Sequence, residues 1–396
     1  MEMAVKVGIN GFGRVGRQTL RTILERHPDT LQVAAINDIA DNTFNAHLLK
    51  YDSSYGKFPG QVQARDGELL VNEWKIKVFS EREPSAIPWK DAGVELVIES
   101  TGRFTRAEKA RGHLQGGAKK VAISAPGKEV DITLNMGVNH ELYDPKKHTI
   151  VSNGSCTTNA LSVTAKVLSR EYGIKRGFMT TVHSYTNTQR ILDLVGENLR
   201  EARAAAMNII PAETGAAKTI FLVLPELQGK MHGIALRVPT PTVSIVDLVC
   251  ELEKPASAKE INAAFKRHSE EDMAGYLGYS EEELVSMDYK GSPYSGIVDA
   301  PRPTESVAAL AFMRVLPDPG VGPQRLEWSR PVGEGARLEV FSVAGRRVWS
   351  GSLPATATQA TWDGRDHARQ PVAPGIYVVR ISGAHGAASR RLVRLR

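Results

Sequence analysis

Three observations predict an α/β chain in three parts: a parallel sheet, then an α+β domain, then a small all-β sandwich. First, short apolar runs alternate with a helical pattern from Val5–Asn10 onward, which is how a sheet covered by helices is written. Second, alternating runs at 177–183, 232–239 and 243–248 lie between long polar connections and imply a mainly antiparallel sheet. Third, the last seventy or so residues hold five short β-like runs separated by turn residues. A length of 396 residues allows two or three domains. The boundaries read from these shifts are 1–151, 152–315, a linker at 316–324 and a sandwich at 325–396.

Composition narrows the class. With 42% hydrophobic and 24% charged residues the chain can bury an ordinary globular core. No apolar run approaches the ~20 residues of a membrane span, and the opening residues carry no signal-peptide pattern. Two distant cysteines, Cys156 and Cys250, give no disulfide framework, so a reducing, cytoplasmic setting is expected. The net charge of +6 is uneven: residues 325–396 hold twelve Arg, no Lys and five acids, which leaves about −1 on the rest. The body therefore offers no electrostatic footprint for nucleic acid.

Taken in order, Val5–Asn10 is followed by Gly11-Phe12-Gly13-Arg14-Val15-Gly16, a helical pattern to about residue 25, and a second strand at 31–36 that ends near Asp38. Gly11, Gly13 and Gly16 permit a tight turn and close approach of a pyrophosphate to a helix N-terminus. Asp38, 22 residues after Gly16, is placed to accept ribose hydroxyls and to repel a 2′-phosphate. A Rossmann dinucleotide-binding domain that prefers NAD follows. Strands at 75–79, 95–99 and Lys120–Ile123 extend the sheet. Their polar C-terminal ends, carrying Thr101 and Ser124, should face the dinucleotide.

The second domain opens on Ser152-Asn153-Gly154-Ser155-Cys156-Thr157-Thr158-Asn159, just ahead of a helical pattern at 157–172 closed by Gly173. A thiol at a helix N-terminus meets unpaired N–H groups and the positive end of the dipole, both of which favour thiolate. His183 ends the next strand and is the candidate base. The loop at 184–219 carries Thr186, Arg190, Arg200, Arg203, Thr214 and Lys218, a set suited to phosphate. A thiolate beside a base, a nicotinamide site and a phosphate loop fit one reaction. The thiolate adds to an aldehyde, hydride leaves to the nicotinamide, and a second nucleophile releases the thioester. A helix is expected at 258–268, and His27, His47, His113 and His268 have no companions at metal-ligand spacing, so no metal is expected.

From about Val5 to Ala300 the sequence resembles phosphorylating glyceraldehyde-3-phosphate dehydrogenases. The carrying motifs are Ile9-Asn10-Gly11-Phe12-Gly13-Arg14, the Cys156 octapeptide, Thr181-Val182-His183-Ser184-Tyr185-Thr186, Thr214-Gly215-Ala216-Ala217-Lys218 and Leu236-Arg237-Val238-Pro239-Thr240-Pro241. The resemblance implies Cys156 as nucleophile and His183 as its base. It implies contacts to glyceraldehyde 3-phosphate and inorganic phosphate from Ser155, Thr157, Thr186, Thr214, Gly215 and Arg237. It implies an NAD site lined by Arg14, Val15, Asp38, Arg82 and Ser124, and a homotetramer with the segment after His183 at subunit contacts. Thr188 stands where the family usually has Asp, Glu201 where bacterial members commonly carry a phosphate-binding Arg, and Ala160 where a second cysteine is frequent.

The family continues past this point with a strand, a Trp-Tyr-Asp-Asn-Glu type motif and a final helix, and no such motif follows Ala300. The apolar stretch 304–315 is expected either to replace part of that missing element or to pack against the catalytic domain. The tail is similar instead to the immunoglobulin-like modules of the flagellar hook-cap and secretion-sorting type, through Leu338–Val348, Trp362-Asp363-Gly364-Arg365 and Pro374-Gly375-Ile376-Tyr377. Two other functions stay open on sequence grounds: a weakly active NAD-binding fusion with an interaction module, and an erythrose-4-phosphate dehydrogenase.

Overall fold

The computed structural model describes residues 4–196, 198–300, 313–316, 324–328, 332–342, 345–383 and 386–394. They form two compact units, one of Met1–Pro255 with Ala264–Pro301 and one of Ala256–Ala263 with Arg302–Arg396.

In the first unit, β1 (Val5–Asn10), α1 (Arg14–Arg26) and β2 (Leu31–Asn37) make the opening β-α-β unit, with β1 and β2 parallel. Then come α2 (Asn42–Lys50), a small hairpin of β3 (Tyr51–Asp52) and β4 (Gly56–Lys57), and β5 (Val62–Arg65), β6 (Glu68–Val71) and β7 (Trp74–Phe79). They are followed by β8 (Leu96–Glu99), the short helices α3 (Ala107–Ala110) and α4 (Gly112–Gln115), β9 (Lys120–Ile123), β10 (Ile132–Thr133) and β11 (Ile150–Ser152). Nine of these strands join in the order β10-β11-β9-β8-β1-β2-β7-β6-β5. Neighbours from β10 to β7 run parallel, and β7-β6-β5 finish the edge as an antiparallel meander. Val7, Ile9, Val33, Ile36 and Val97 are buried, as strands covered on both faces require. Because the central strands are parallel, the ends of β1, β2 and β8 open on one side, where a ligand can sit.

The second half of this unit starts with α5 (Cys156–Tyr172), capped by Ser155, whose Oγ accepts from Thr158 N at 3.0 Å, and closed at Gly173 with φ +70°. Next are β12 (Ile174–Ser184), β13 (Ile210–Ala212), α6 (Ala216–Thr219), β14 (Met231–Val238), β15 (Ile245–Leu252), α7 (Ala258–Glu270, of which the part from Ala264 belongs to this unit), β16 (Leu277–Ser280) and β17 (Gly296–Asp299). The sheet order is β13-β14-β12-β15. Two pairings are antiparallel, but the central pair β12–β14 is parallel. α5 packs on β12 and β15, so the helix N-terminus meets the end of β12.

The tail holds β18 (Met313–Leu316), β19 (Gln324–Trp328), β20 (Arg337–Ser342), β21 (Arg347–Ser352), β22 (Gln359–Trp362), β23 (Gly375–Gly383) and β24 (Gly386–Arg394). They make one sheet β18-β19-β22 and a second β21-β20-β23-β24. Leu326, Leu338, Val340, Trp362, Val379 and Ile381 fill a core of their own, and the buried indoles of Trp328 and Trp362 each donate to a backbone carbonyl at 2.9 Å. One boundary differs from expectation. Met313–Leu316 pairs antiparallel with Gln324–Trp328, from Met313 opposite Trp328 to Leu316 opposite Arg325. The ends of the stretch read as a linker at 316–324 thus lie in two paired strands. Pro and Gly serve turns and linkers alike, so their composition does not separate the two. Residues 304–312 of the stretch expected to replace part of the missing element or to pack against the catalytic domain lie outside the described residues.

His268, nearly buried in α7, links Asp272 (Nδ1–Oδ1, 2.6 Å) to Glu171 (Nε2–Oε1, 2.9 Å), while Arg170 and Arg267 face the same carboxylates. Burial pushes the imidazole down, but the hydrogen bonds and charges of Asp272 and Glu171 outweigh it and hold His268 above its ordinary value. A raised folded value gives stability that is full below about 6.5 and fades as pH rises through the folded value. His268→Gln should therefore lower the melting temperature by a few degrees at pH 6 and by less at pH 9, measured by calorimetry at both values.

Candidate active site

The cleft is built where strands end and helices begin. Gly11, at φ +86°, turns the chain out of β1, and a Cβ there would lie 2.7 Å from Thr101 N. A Cβ on Gly16 would lie 2.2 Å from Gly11 O, so the third glycine lets α1 pack against the turn. A Cβ on Gly13 would project into open space at the α1 N-terminus. Asp38 receives Phe12 N on Oδ2 at 2.7 Å and Ala40 N on Oδ1 at 2.9 Å, which fixes its carboxylate while leaving lone pairs for a ligand. These features fit a dinucleotide: open glycine backbone and helix N–H groups for the pyrophosphate, and an anchored carboxylate for the ribose.

The cavity holds about 1400 Å³. Gly11, Gly13, Arg14, Val15, Asp38, Arg82 and Thr101 line it, as do Cys156, Thr157, His183, Thr186 and Thr188. The fold therefore brings the dinucleotide residues and the thiol to one space. Gly16 serves packing behind it. Ser124, Ser155, Thr214, Gly215 and Arg237 are not among the lining residues. Ser124 Oγ donates to Glu99 O at 3.1 Å, Ser155 caps α5, and Thr214 Oγ1 accepts from Ala216 N at 3.2 Å where Gly215 opens α6. Arg237 stands behind His183.

Cys156 is the first residue of the 17-residue α5, with Sγ 3.2 Å from His183 Nε2. Desolvation by the surrounding protein raises the thiol, but the hydrogen bond and charge of His183 and hydrogen bonds from Thr157 outweigh it, so Cys156 sits below its ordinary value. Cys250, on β15, is pushed up to about 11 by burial. Arg237 Nη1 lies 2.6 Å from His183 Nδ1 and donates to Ser184 O at 2.9 Å, and Nδ1 is itself 2.7 Å from that oxygen. A guanidinium only donates. Nδ1 of His183 thus sits between an N–H of Arg237 and the oxygen of Ser184, which orients the ring with Nε2 toward the sulfur. Burial lowers Arg237, opposed by the charges of Cys156 and Glu201. Glu201 is held by Gln189 Nε2 at 3.0 Å and Asn198 Nδ2 at 2.8 Å. The placement of Arg237 against His183 has no local sequence signal, since the two are 54 residues apart and meet only because β12 and β14 pair in register.

A dinucleotide cleft that ends at a cysteine–histidine pair defines a class, the NAD-dependent oxidoreductases that work through a thiol. Comparison with known proteins is specific. Residues 5–107 match the glyceraldehyde 3-phosphate dehydrogenase NAD binding domain, and residues 155–316 match the C-terminal domain of the same family. Glyceraldehyde-3-phosphate dehydrogenase of Geobacillus stearothermophilus is 57% identical over 298 residues, 75% of this chain and 88% of the relative. Glyceraldehyde-3-phosphate dehydrogenase 1 of Bacillus cereus is 56% identical over 295 residues, 74% of this chain and 88% of the relative. The chain belongs to the glyceraldehyde-3-phosphate dehydrogenase family, and its cofactor is NAD.

The two thiols should differ sharply toward iodoacetamide. At pH 7 a thiol near 11 is about one part in ten thousand thiolate, so Cys156 should be alkylated at least tenfold faster than Cys250. His183→Asn should narrow that gap. Peptide mass spectrometry over a time course reads both rates.

Proposed function

We propose that this chain oxidises glyceraldehyde 3-phosphate with NAD and inorganic phosphate through a thioester on Cys156. The observation that carries this reading is the 3.2 Å contact of Cys156 Sγ with His183 Nε2 at a helix N-terminus that opens into the dinucleotide cleft. Gly11, Gly13, Arg14, Val15, Asp38, Arg82, Thr101 and Ser124 are assigned to hold NAD, which when bound supplies the hydride acceptor. Cys156 passes its proton to His183 Nε2 and adds to the aldehyde carbon, and the Nε2–H so formed steadies the oxygen that gains charge. Loss of a hydride from the adduct carbon leaves the acyl group on sulfur as a thioester; phosphate then attacks its carbonyl, the C–S bond breaks, and the Cys156 thiolate is returned as the acyl phosphate leaves. Ser155, Thr157, Thr186, Thr214, Gly215 and Arg237 are assigned to the phosphates. Glu201, whose charge Arg237 feels, weakens that assembly for anions relative to a neutral side chain.

We also read the protein as a cytoplasmic homotetramer. Ile191, Val195, Leu199 and Met207 in the segment after His183 are each more than 80% exposed, an apolar surface suited to a second copy. Among the described residues no helix is long and apolar enough to cross a membrane. We read the tail as an appended immunoglobulin-like module standing where the family has its closing strand and helix. Its separate core supports this, as does the alignment of the relatives over three quarters of the chain.

Cys156→Ser should abolish NADH formation from glyceraldehyde 3-phosphate while NAD still binds, and His183→Asn should lower turnover by roughly 10²–10⁴. Substantial turnover by Cys156→Ser would sink the covalent route, and NADH formation independent of phosphate would sink the choice of acyl acceptor. Grafting a family C-terminus after Ala300 should raise turnover and melting temperature; a graft that changes neither would show that the tail already serves in its place.

A further inference from the structure

Beneath the cleft runs a connected set of buried polar side chains to which the chemistry above assigns no part. Glu99 ends β8 and is 1% exposed, and His113 in α4 is wholly buried. Glu99 Oε2 lies 2.6 Å from Asn10 Nδ2 and 3.0 Å from His113 Nε2. Its Oε1 accepts from Thr101 N at 2.8 Å and from the Thr101 hydroxyl. Trp89 Nε1 lies 3.1 Å from His113 Nδ1. An indole N–H only donates, so Nδ1 accepts and the single ring proton sits on Nε2, directed at Glu99. A doubly protonated ring would set two donors face to face. The carboxylate therefore has donors on every side, the surroundings of an ionised, acceptor-only group beside a neutral imidazole.

The network continues across the sheet. Asn37 Nδ2 donates to Asn10 Oδ1 at 2.8 Å and to Glu81 O at 2.9 Å, and Asn37 Oδ1 accepts from Glu81 N at 2.8 Å. It thus spans the ends of β8, β1 and β2, holding Thr101 on one wall of the cleft and the backbone beside Arg82 on the other. Buried ionic groups add little to stability over an apolar core. This one lies where strand ends meet the ligand, and its outer members line the cleft.

We propose that Glu99 is a positioning residue for the dinucleotide: its buried carboxylate, oriented by His113, fixes Thr101 and, through Asn10 and Asn37, the Arg82 segment. The assignment rests on the NAD site and is independent of the thiol chemistry. In the full chain, Glu99→Gln puts an amide N–H₂ among donors and should weaken NAD binding by roughly tenfold or more in equilibrium dialysis. The rate of Cys156 alkylation without nucleotide should stay within about twofold, because α5 and β12 are built separately. His113→Gln, which can donate one N–H and accept at its oxygen, should keep NAD affinity within about threefold, whereas His113→Leu should lose about as much as Glu99→Gln. Glu99→Gln binding NAD as tightly as the unaltered chain would overturn the assignment, and so would parallel loss of NAD affinity and thiol reactivity. If Glu99→Gln does not fold, the His113 pair decides: equal NAD affinity in the Gln and Leu forms overturns it.

Discussion

The contact between Cys156 and His183 is the constraint on which the catalytic half depends. It joins the first residue of a helix to the end of a strand, so it exists only while α5 lies across the β12 sheet at one offset. Three neighbours hold that offset. Ser155 caps the helix, Gly173 ends it, and β14 runs parallel to β12 so that Arg237 stands beside His183. A slip of one residue in β12 would turn His183 to the other face of the sheet and leave the thiol without its partner.

The same economy governs the dinucleotide half. Its glycines matter for where the backbone goes, and Asp38 matters because two backbone N–H groups hold it. Behind them the sheet carries buried amides and a buried carboxylate at the strand ends that face the cleft, while its interior positions such as Val7, Ile9 and Val97 are apolar. Polar groups are kept where they can order a loop, and the rest of the sheet is packed by area.

Much of this was legible because it is local. The glycine turn, Asp38 after the second strand and the cysteine ahead of a helix are each contained in a short window, and the structure places the strands and helices that carry them close to the expected bounds. What could not be read depends on pairing between distant segments. Glu99, His113 and Trp89 have no motif, and His113 read as an unremarkable histidine because its partners are set by how β8, α4 and the Trp89 turn pack. The parallel β12–β14 pair was likewise hidden among alternating runs that look the same in either direction. The pairing of Met313–Leu316 with Gln324–Trp328 was hidden because its apolar residues suit either domain and the Pro and Gly that follow it also describe a linker.

The two cysteines also bear on how the protein meets oxidants. Cys250 pairs with Gly177 on β12 and Cys156 reaches His183, six residues along the same strand, a span of about 20 Å. A disulfide needs Cα atoms within about 7 Å. With Ala160 in the position four residues after Cys156, a sulfenic acid on Cys156 finds no resolving thiol within its own fold. Its recovery depends on a thiol brought from outside, and without one oxidation proceeds toward the irreversible sulfinic and sulfonic acids.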